Sequence, residues 1–329
     1  MAGPYIGRMK HTIFLILWLL IPRDTLSVMC WNVENFFDWR NDSLTVSDAE
    51  FSSRGERHWT WKRFQAKANA FAKALFWVEA ETGRLPDAVG LEEVENAFVL
   101  RQLLRKTALR KTDYQDVHYD SPDRRGIDVA LLYRSSVLEL VDSKPCHLYD
   151  ADTVMATRDI LLCVFRRKVD VASSPPFAVL VNHHPSKYGG ASESEPKRRI
   201  AVDRLRFLAD SLAAEGIDRI IAGGDFNDTP DNPVFLRLEP ALKPLHTALS
   251  RRGEGTIKYD GKWDLIDHFY ASPVLLEFRP SMRILRIPFL LTRDTAHSGD
   301  KPLRTYTGPR PAGGVSDHLP ILLEVAFPP

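Results

Sequence analysis

The feature that most constrains this chain is the even spread of seven short β-rich runs, at 27–31, 87–91, 127–133, 177–181, 219–222, 265–270 and 319–325, between segments of helical periodicity. Phe64, Ala68, Phe71, Leu75 and Val78 recur at alternating steps of four and three, as do Ala201, Leu205, Leu208 and Leu212. Each set is the apolar stripe of an amphipathic helix. Gly83 and Gly216 stand where the two patterns end, ready to take the left-handed conformation that closes a helix. The strands are too many for a helical bundle, and no repeat or linker divides the chain, so residues 28–329 are expected to form one α/β domain of sheets covered by helices.

Composition enters as a set of exclusions. With 44% hydrophobic and 26% charged residues, disordered, collagenous and multi-span membrane classes fall away. The balance of 44 Lys plus Arg against 43 Asp plus Glu supplies no bulk field for polyanions, so a nucleic-acid partner needs a local basic patch. Arg101, Arg105, Lys106, Arg110 and Lys111 could form one, or simply a solvated helix face. Cys30, Cys146 and Cys163 lie far apart without a CxxC pair and are expected to be buried free thiols. At the start, Arg8, Lys10 and His11 precede an apolar run at 13–21, with small residues Thr25 and Ser27 beyond. This fits a secretory signal over residues 1–27 and an exported protein. The run is too short to span a bilayer as a helix, which takes about 20 residues, so the alternative is weak anchoring.

Polar residues gather at the ends of the β-rich runs: Asn32 in VMCWNVENFF, Glu92 and Glu93 in VGLEEVEN, Asp225, Asn227 and Asp228 in RIIAGGDFND, and Asp317 with His318 in GGVSDHLP. Strand ends on a rigid sheet can hold side chains from distant positions in one place. Oxygen donors without thiolates suit a hard cation, Mg²⁺ or Mn²⁺, better than zinc.

Taken singly, each string also fits a turn or a solvated surface; their order carries more. Asn, Glu, Asp-x-Asn and Ser-Asp-His, each at a strand boundary, resemble the endonuclease/exonuclease/phosphatase superfamily, which includes secreted deoxyribonucleases, abasic-site endonucleases, neutral sphingomyelinases and inositol polyphosphate phosphatases. The strings RHWTWKRFQAKANAFAKAL, SPDRRGIDVALLYR, VNHHPSKYGG and GTIKYDGKWDLIDHFYAS are similar to its bacterial exported branch, and the likeness covers roughly residues 28 to 326. The resemblance implies a four-layer α/β/β/α sandwich with two packed mixed β-sheets, a bound Mg²⁺ or Mn²⁺, and phosphoester hydrolysis by in-line attack of water.

It also implies roles. Glu93 would be the main metal ligand, with Asn32 holding it or the metal's water, and Asp317 at a position used for a second metal or its water. Glu92 stands where the family often has Gln and is read as secondary. Asp225 would orient or deprotonate the attacking water, and Asn227 would donate to a phosphate oxygen. His318 would stabilise or protonate the phosphoryl centre, with Asp267 fixing its tautomer, while His268 faces away from the site. A second histidine is expected at His183, with His184 the alternative; Asp128 would be its partner and keep it cationic. Arg125, Lys187, Arg304 and Tyr306 are expected on the substrate side. The substrate is a phosphoester, in nucleic acid or in a lipid headgroup or other small ester, and the expected protein is a monomer with no obligate protein partner. A catalytically silent binding protein is disfavoured, because none of the proposed catalytic positions is replaced.

Overall fold

The computed structural model describes residues 25–40, 49–168, 174–187 and 190–327; most of the expected signal, residues 1–24, lies outside them. Twelve strands form two six-stranded mixed sheets. The first sheet runs, in spatial order, β11 (Ser281–Ile284), β12 (Ile321–Ala326), β1 (Thr25–Phe36), β2 (Ala88–Val94), β4 (Asp128–Arg134) and β3 (Tyr114–His118). The second runs β9 (Lys243–Pro244), β10 (Asp267–Ala271), β8 (Arg219–Asp225), β7 (Phe177–His183), β6 (Ile160–Arg167) and β5 (Leu138–Cys146). Helices α1 (Trp61–Thr82) and α2 (Ala97–Lys106) cover the first sheet, and α3 (Ala191–Ala214) covers the second.

Three apolar cores separate the four layers. Phe64, Phe71 and Leu75 of α1 meet Met29, Trp31 and Leu91, and the Trp31 and Phe71 rings stack at 5.4 Å. Leu205, Leu208 and Leu212 of α3 meet Leu162, Leu180 and Ala222. Between the sheets lie Val28, Cys30, Val129, Leu131, Cys163, Val179, Val181, Ile221 and Phe269. The expected helical stripes are therefore the buried faces of α1 and α3. Thr60 caps the start of α1, and Gly83, at φ 79°, ends it by donating to Glu79 O at 2.7 Å. All three cysteines are buried free thiols.

Five strands fall outside the seven expected runs, and four of these are edge strands: β3, β5, β9 and β11. An edge strand is half solvated and carries little hydrophobic alternation, so its pattern is weak; β5 even holds Pro145, which an edge tolerates. The fifth, β6, opens with the apolar run Ile160–Phe165, buried on both faces, before Arg166 and Arg167. Strand β1 opens at Thr25, three residues before the expected boundary at 28, with Thr25, Leu26 and Ser27 paired to Ala326, Val325 and Glu324.

Alternation along the strands decides where the polar residues point. Counting by twos from inter-sheet core residues, Val28 and Cys30 lead to Asn32, Ala88 to Glu92, Val179 and Val181 to His183, Ile221 to Asp225, and Ala271 and Phe269 to Asp267. All five thus turn into the gap between the sheets, at one end of it. Alternation would put Glu93 on the other face. A β-bulge between Glu92 and Val94, with Glu93 at φ 66°, re-aims it.

Candidate active site

At this end of the sandwich the residues meet across the two sheets. Asn32 Oδ1 accepts from the Glu34 backbone N–H at 2.9 Å, which commits the amide's orientation and turns Nδ2 toward the carboxylates. Nδ2 donates to Asp225 Oδ2 at 3.0 Å and Glu93 Oε1 at 3.3 Å. Glu93 Oε2 accepts from Asn35 N at 2.7 Å. Asp225 Oδ1 accepts from Asn227 N at 2.8 Å, and Asn227 Nδ2 donates to His184 O at 2.9 Å. The two glycines before Asp225 are needed for room. A Cβ on Gly223 would sit 2.4 Å from the Phe269 ring, and one on Gly224, at φ 130°, would sit 2.1 Å from Asn182 O.

His318 completes the constellation. Its Nδ1 lies 2.9 Å from Asp267 Oδ2, and its Nε2 lies 4.0 Å from Asp225 Oδ2 and 3.9 Å from Asp317 Oδ1. Ser316 ties the SDH turn to β1: its hydroxyl donates to Asn32 O at 2.5 Å and accepts from His318 N at 2.9 Å. Thr256 donates to the same Asp267 Oδ2. Burial pulls the His318 pKa down, but the Asp267 charge and hydrogen bond, aided by Asp225 and Asp317, overcome it and hold the pKa well above the ordinary value. Burial lifts the Asp225 carboxyl to about 7, and Asp267 adds to the rise, against the pull of His318 and the hydrogen bonds from Asn227 and Asn32. An imidazolium thus faces a carboxylate poised near neutrality, a separation of acid and base roles that suits proton transfer.

The sequence matches the Endonuclease/Exonuclease/phosphatase family over residues 27–327. The chain belongs to this family. Solved structures share its fold: the human Nocturnin catalytic domain with bound sulfate (19% identity, TM-score 0.56, 93% of this chain and 96% of that one) and a family protein from Bacteroides thetaiotaomicron (19%, TM-score 0.57, 92% and 98%). A mannosyl-6-phosphatase from the same bacterium is similar as well (17%, TM-score 0.56, 92% and 100%). No curated protein matches the sequence.

Within this family frame, the structure brings together Asn32, Glu93, Asp225, Asn227, Asp267, His318 and His183, with Asp317 at the rim, and moves three other expectations. His183 turns into the site, its Nε2 3.6 Å from Asp225 and 3.9 Å from Glu93. His184 turns outward onto the Phe226 ring at 4.5 Å, and His268 likewise packs outward against Phe226 and His246. Asp128 is not the partner of His183. Its carboxylate is taken by His118 Nε2 at 3.0 Å and by Ser121 N and Oγ at 3.0 and 2.5 Å, because β4 pairs with β3 and carries Asp128 toward His118. Nor is His183 held cationic: burial first, then the charges of Arg158 and Arg125, push its pKa well below the ordinary value.

Tyr306 is not on the substrate side. It is buried beside Phe51 and Trp59, with its hydroxyl donating to Arg57 O at 3.0 Å. Arg304 stays half-exposed, but its guanidinium bridges Glu34 at 3.2 Å and Asp317 at 2.9 Å. Lys187 is half-exposed and ion-paired to Asp228 at 2.7 Å. Arg125 is half-exposed beside Asp123 at 3.4 Å.

Beneath Asp317 lies a group the sequence did not suggest. Lys67, buried in α1, donates to Glu34 O and to Thr305 Oγ1 at 2.8 Å, and Glu34 accepts from Thr305 N at 2.7 Å. Burial pulls Lys67 down to about 8, against the carboxylates of Glu34, Glu93 and Asp317. Burial and Asp317 raise Glu34 to about 7, against Lys67 and Arg304. The available signal was a lysine on the apolar stripe, three residues after Phe64 and next to Ala68; Glu34 gave none.

The divalent cation that the family uses finds a fitting donor set. Glu93 and Asp317 offer partly exposed carboxylates, while Asn32 holds Glu93. Buried Glu92 stands behind them with neither carboxyl oxygen hydrogen-bonded. Burial, Asp267 and Asp225 push its pKa well above the ordinary carboxylate value. So dense a set of carboxyls is expensive without a cation.

Proposed function

We propose that the protein is a divalent-cation-dependent phosphoester hydrolase, acting as a sequence-tolerant phosphodiesterase on nucleic acid. The observation that carries this reading is the facing pair, His318 on Asp267 from one side and Asp225 fixed by Asn32 and Asn227 from the other. Asp225, lifted to about 7, orients a water and takes its proton as the nucleophile forms. Neutral His183, and Asn227 once its second Nδ2 hydrogen leaves Asp225 Oδ2, which it reaches at 3.2 Å, donate to nonbridging phosphate oxygens, which carry the growing charge of the transition state. His318, kept protonated by Asp267, gives a proton or a hydrogen bond to the phosphoryl centre. Glu93, oriented by Asn32, and Asp317 would hold the cation. When bound, the cation supplies Lewis-acid neutralisation of phosphate charge.

No recognition helix in a groove or zinc finger marks the described residues as a reader of base sequence, which suits sequence tolerance. The similarity to the mannosyl-6-phosphatase favours a second reading, hydrolysis of a small phosphate ester. Protein lacking the first 24 residues should be assayed with Mg²⁺ and with Mn²⁺ on plasmid DNA, RNA, bis-p-nitrophenyl phosphate, sphingomyelin, and sugar and inositol phosphates. The proposal expects cation-dependent cleavage of the diesters. Undiminished turnover in excess chelator would overturn it, and turnover of the monoesters alone would favour the second reading.

A further inference from the structure

Beside the site, on the His183 side, lies a cavity of about 750 Å³ lined by four cations, Arg124, Arg125, Arg158 and Lys197, and by only two carboxylates, Asp123 and Asp150. Its size suits a small-molecule moiety rather than a lone ion. The charge surplus is built in. Asp123 serves two guanidiniums at once, with Oδ1 3.4 Å from Arg125 Nε and Oδ2 3.1 Å from Arg158 Nη1. Arg158 is 4% exposed, and burying an arginine that shares its carboxylate with a second arginine is costly unless an anion joins them. Its Nε has no hydrogen-bond partner among the described residues, and neither does the buried hydroxyl of Thr157 next to it. Arg158 and Thr157 both line the cavity, so it carries donors in search of acceptors.

The cavity is also wired to the site. Arg158 Nη2 donates to His184 O at 2.6 Å, the same carbonyl that accepts from Asn227 Nδ2 at 2.9 Å. Pro185 and Ser186, which follow the two histidines, form part of its wall. An anion held at Arg158 would therefore sit on the substrate that His183 and Asn227 face.

We propose that this cavity is a subsite for a second phosphate group, so that the preferred substrate is a phosphoester whose organic moiety carries another phosphate in addition to the one attacked. The inference rests on the phosphoester-hydrolase reading for its catalytic consequence, but not for binding. Arginine forks match paired phosphate oxygens, and the exposed Lys197 adds a point charge.

The test uses twin compounds that differ by one phosphate: thymidylyl-thymidine with and without a 5′-phosphate, and inositol 1,4-bisphosphate against inositol 1-phosphate. Calorimetric titration in chelator should show at least about tenfold tighter binding of the more phosphorylated twin. That preference should shrink several-fold in Arg158→Lys, and also in Arg124→Ala and Lys197→Ala, whose exposed side chains leave folding secure. With Mg²⁺ or Mn²⁺, the same twins should differ in kcat/KM chiefly through KM. A preference in the nucleotide pair alone identifies a neighbouring nucleic-acid phosphate as the occupant, and one in the inositol pair alone identifies a free small ester; either supports the subsite. Equal binding of both twins, binding of neither, or a preference unchanged in all three variants would overturn it. Preference without hydrolysis of any phosphoester would leave the subsite standing and remove the proposed activity.

Discussion

The two sheets deliver their parts of the site by different means. The second sheet does it by plain alternation: His183, Asp225 and Asp267 are the last or first inward residues of straight strands, two steps from Val181, Gly223 and Phe269. The first sheet does it by distortion. Register breaks follow Asn32 and Glu92, and Glu34, Asn35 and Glu93 all take left-handed backbone, at φ 46°, 52° and 66°. Non-glycine residues in that region cost of order 1–3 kcal/mol each. The strained rim carries the proposed cation ligand Glu93; the second sheet's rim carries His183, Asp225 and Asp267, with left-handed backbone only at Gly224 and, past the strand, at Asn227 (φ 53°), and His318 reaches them from the turn before β12 of the first sheet.

The largest expected effects lie with the proton-transfer groups. Asp225→Asn or His318→Ala should lower kcat by about three orders of magnitude or more with the unfolding temperature little changed. Asp267→Asn combined with His318→Ala should cost scarcely more than His318→Ala alone. Additive losses in a double-mutant cycle would separate the pair. Alternation itself is tested by the neighbouring histidines: His183→Ala should cost about 10²-fold in kcat, whereas His184→Leu should leave kcat within about threefold and show its effect in stability. Equal losses would break the contrast between faces.

On the strained rim the readout should shift from turnover to cation affinity. Asn32→Ala should raise the Mg²⁺ or Mn²⁺ concentration for half-maximal activity about 10–100-fold, the usual penalty for losing the group that orients a ligand. Unchanged cation dependence would move the ligand role away from Glu93.

Acid–base linkage gives a smaller effect with a definite sign. Asp225 and Glu34 titrate near 7 in the folded chain instead of near 4, so between these values the native state binds more protons than the unfolded one. Chelated protein should therefore lose stability as pH rises from about 4 to 7. His318, with its raised pKa, acts in the same direction above about 6.5. Thermal unfolding scans should show Mg²⁺ raising the unfolding temperature by more at pH 7.5 than at pH 5; a larger gain at pH 5 would contradict the carboxylate cluster as the cation's seat.

The smallest effect concerns the start of the chain. We propose that the protein is exported and its signal removed, and the pairing of Thr25, Leu26 and Ser27 with β12 shifts the expected cut from after Ser27 to before Thr25. Sequencing the amino terminus of the exported protein checks this. Soluble cytoplasmic protein that retains Met1 would refute export.

The sequence by itself determined the alternation of strands and helices, the two apolar helix faces, and the order of polar residues at strand ends. These depend on local periodicity, which the chain carries wherever one face of an element is buried. Alternation also held the answer for His183 over His184, since Val179 and Val181 fix the inward parity of β7. Edge strands were not legible, because a half-solvated strand need not alternate. Partnerships across layers were not legible either. Asp128 belongs to His118 because β4 lies beside β3, Tyr306 belongs to the α1 core because the 306–311 hairpin folds over Trp59, and Lys67 reaches Glu34 because α1 lies on β1. Which carboxylate meets which cation is decided by side chains that meet only after the sheets have packed, at sequence separations from ten to several hundred residues, and burial then sets their protonation more strongly than any neighbour in the chain.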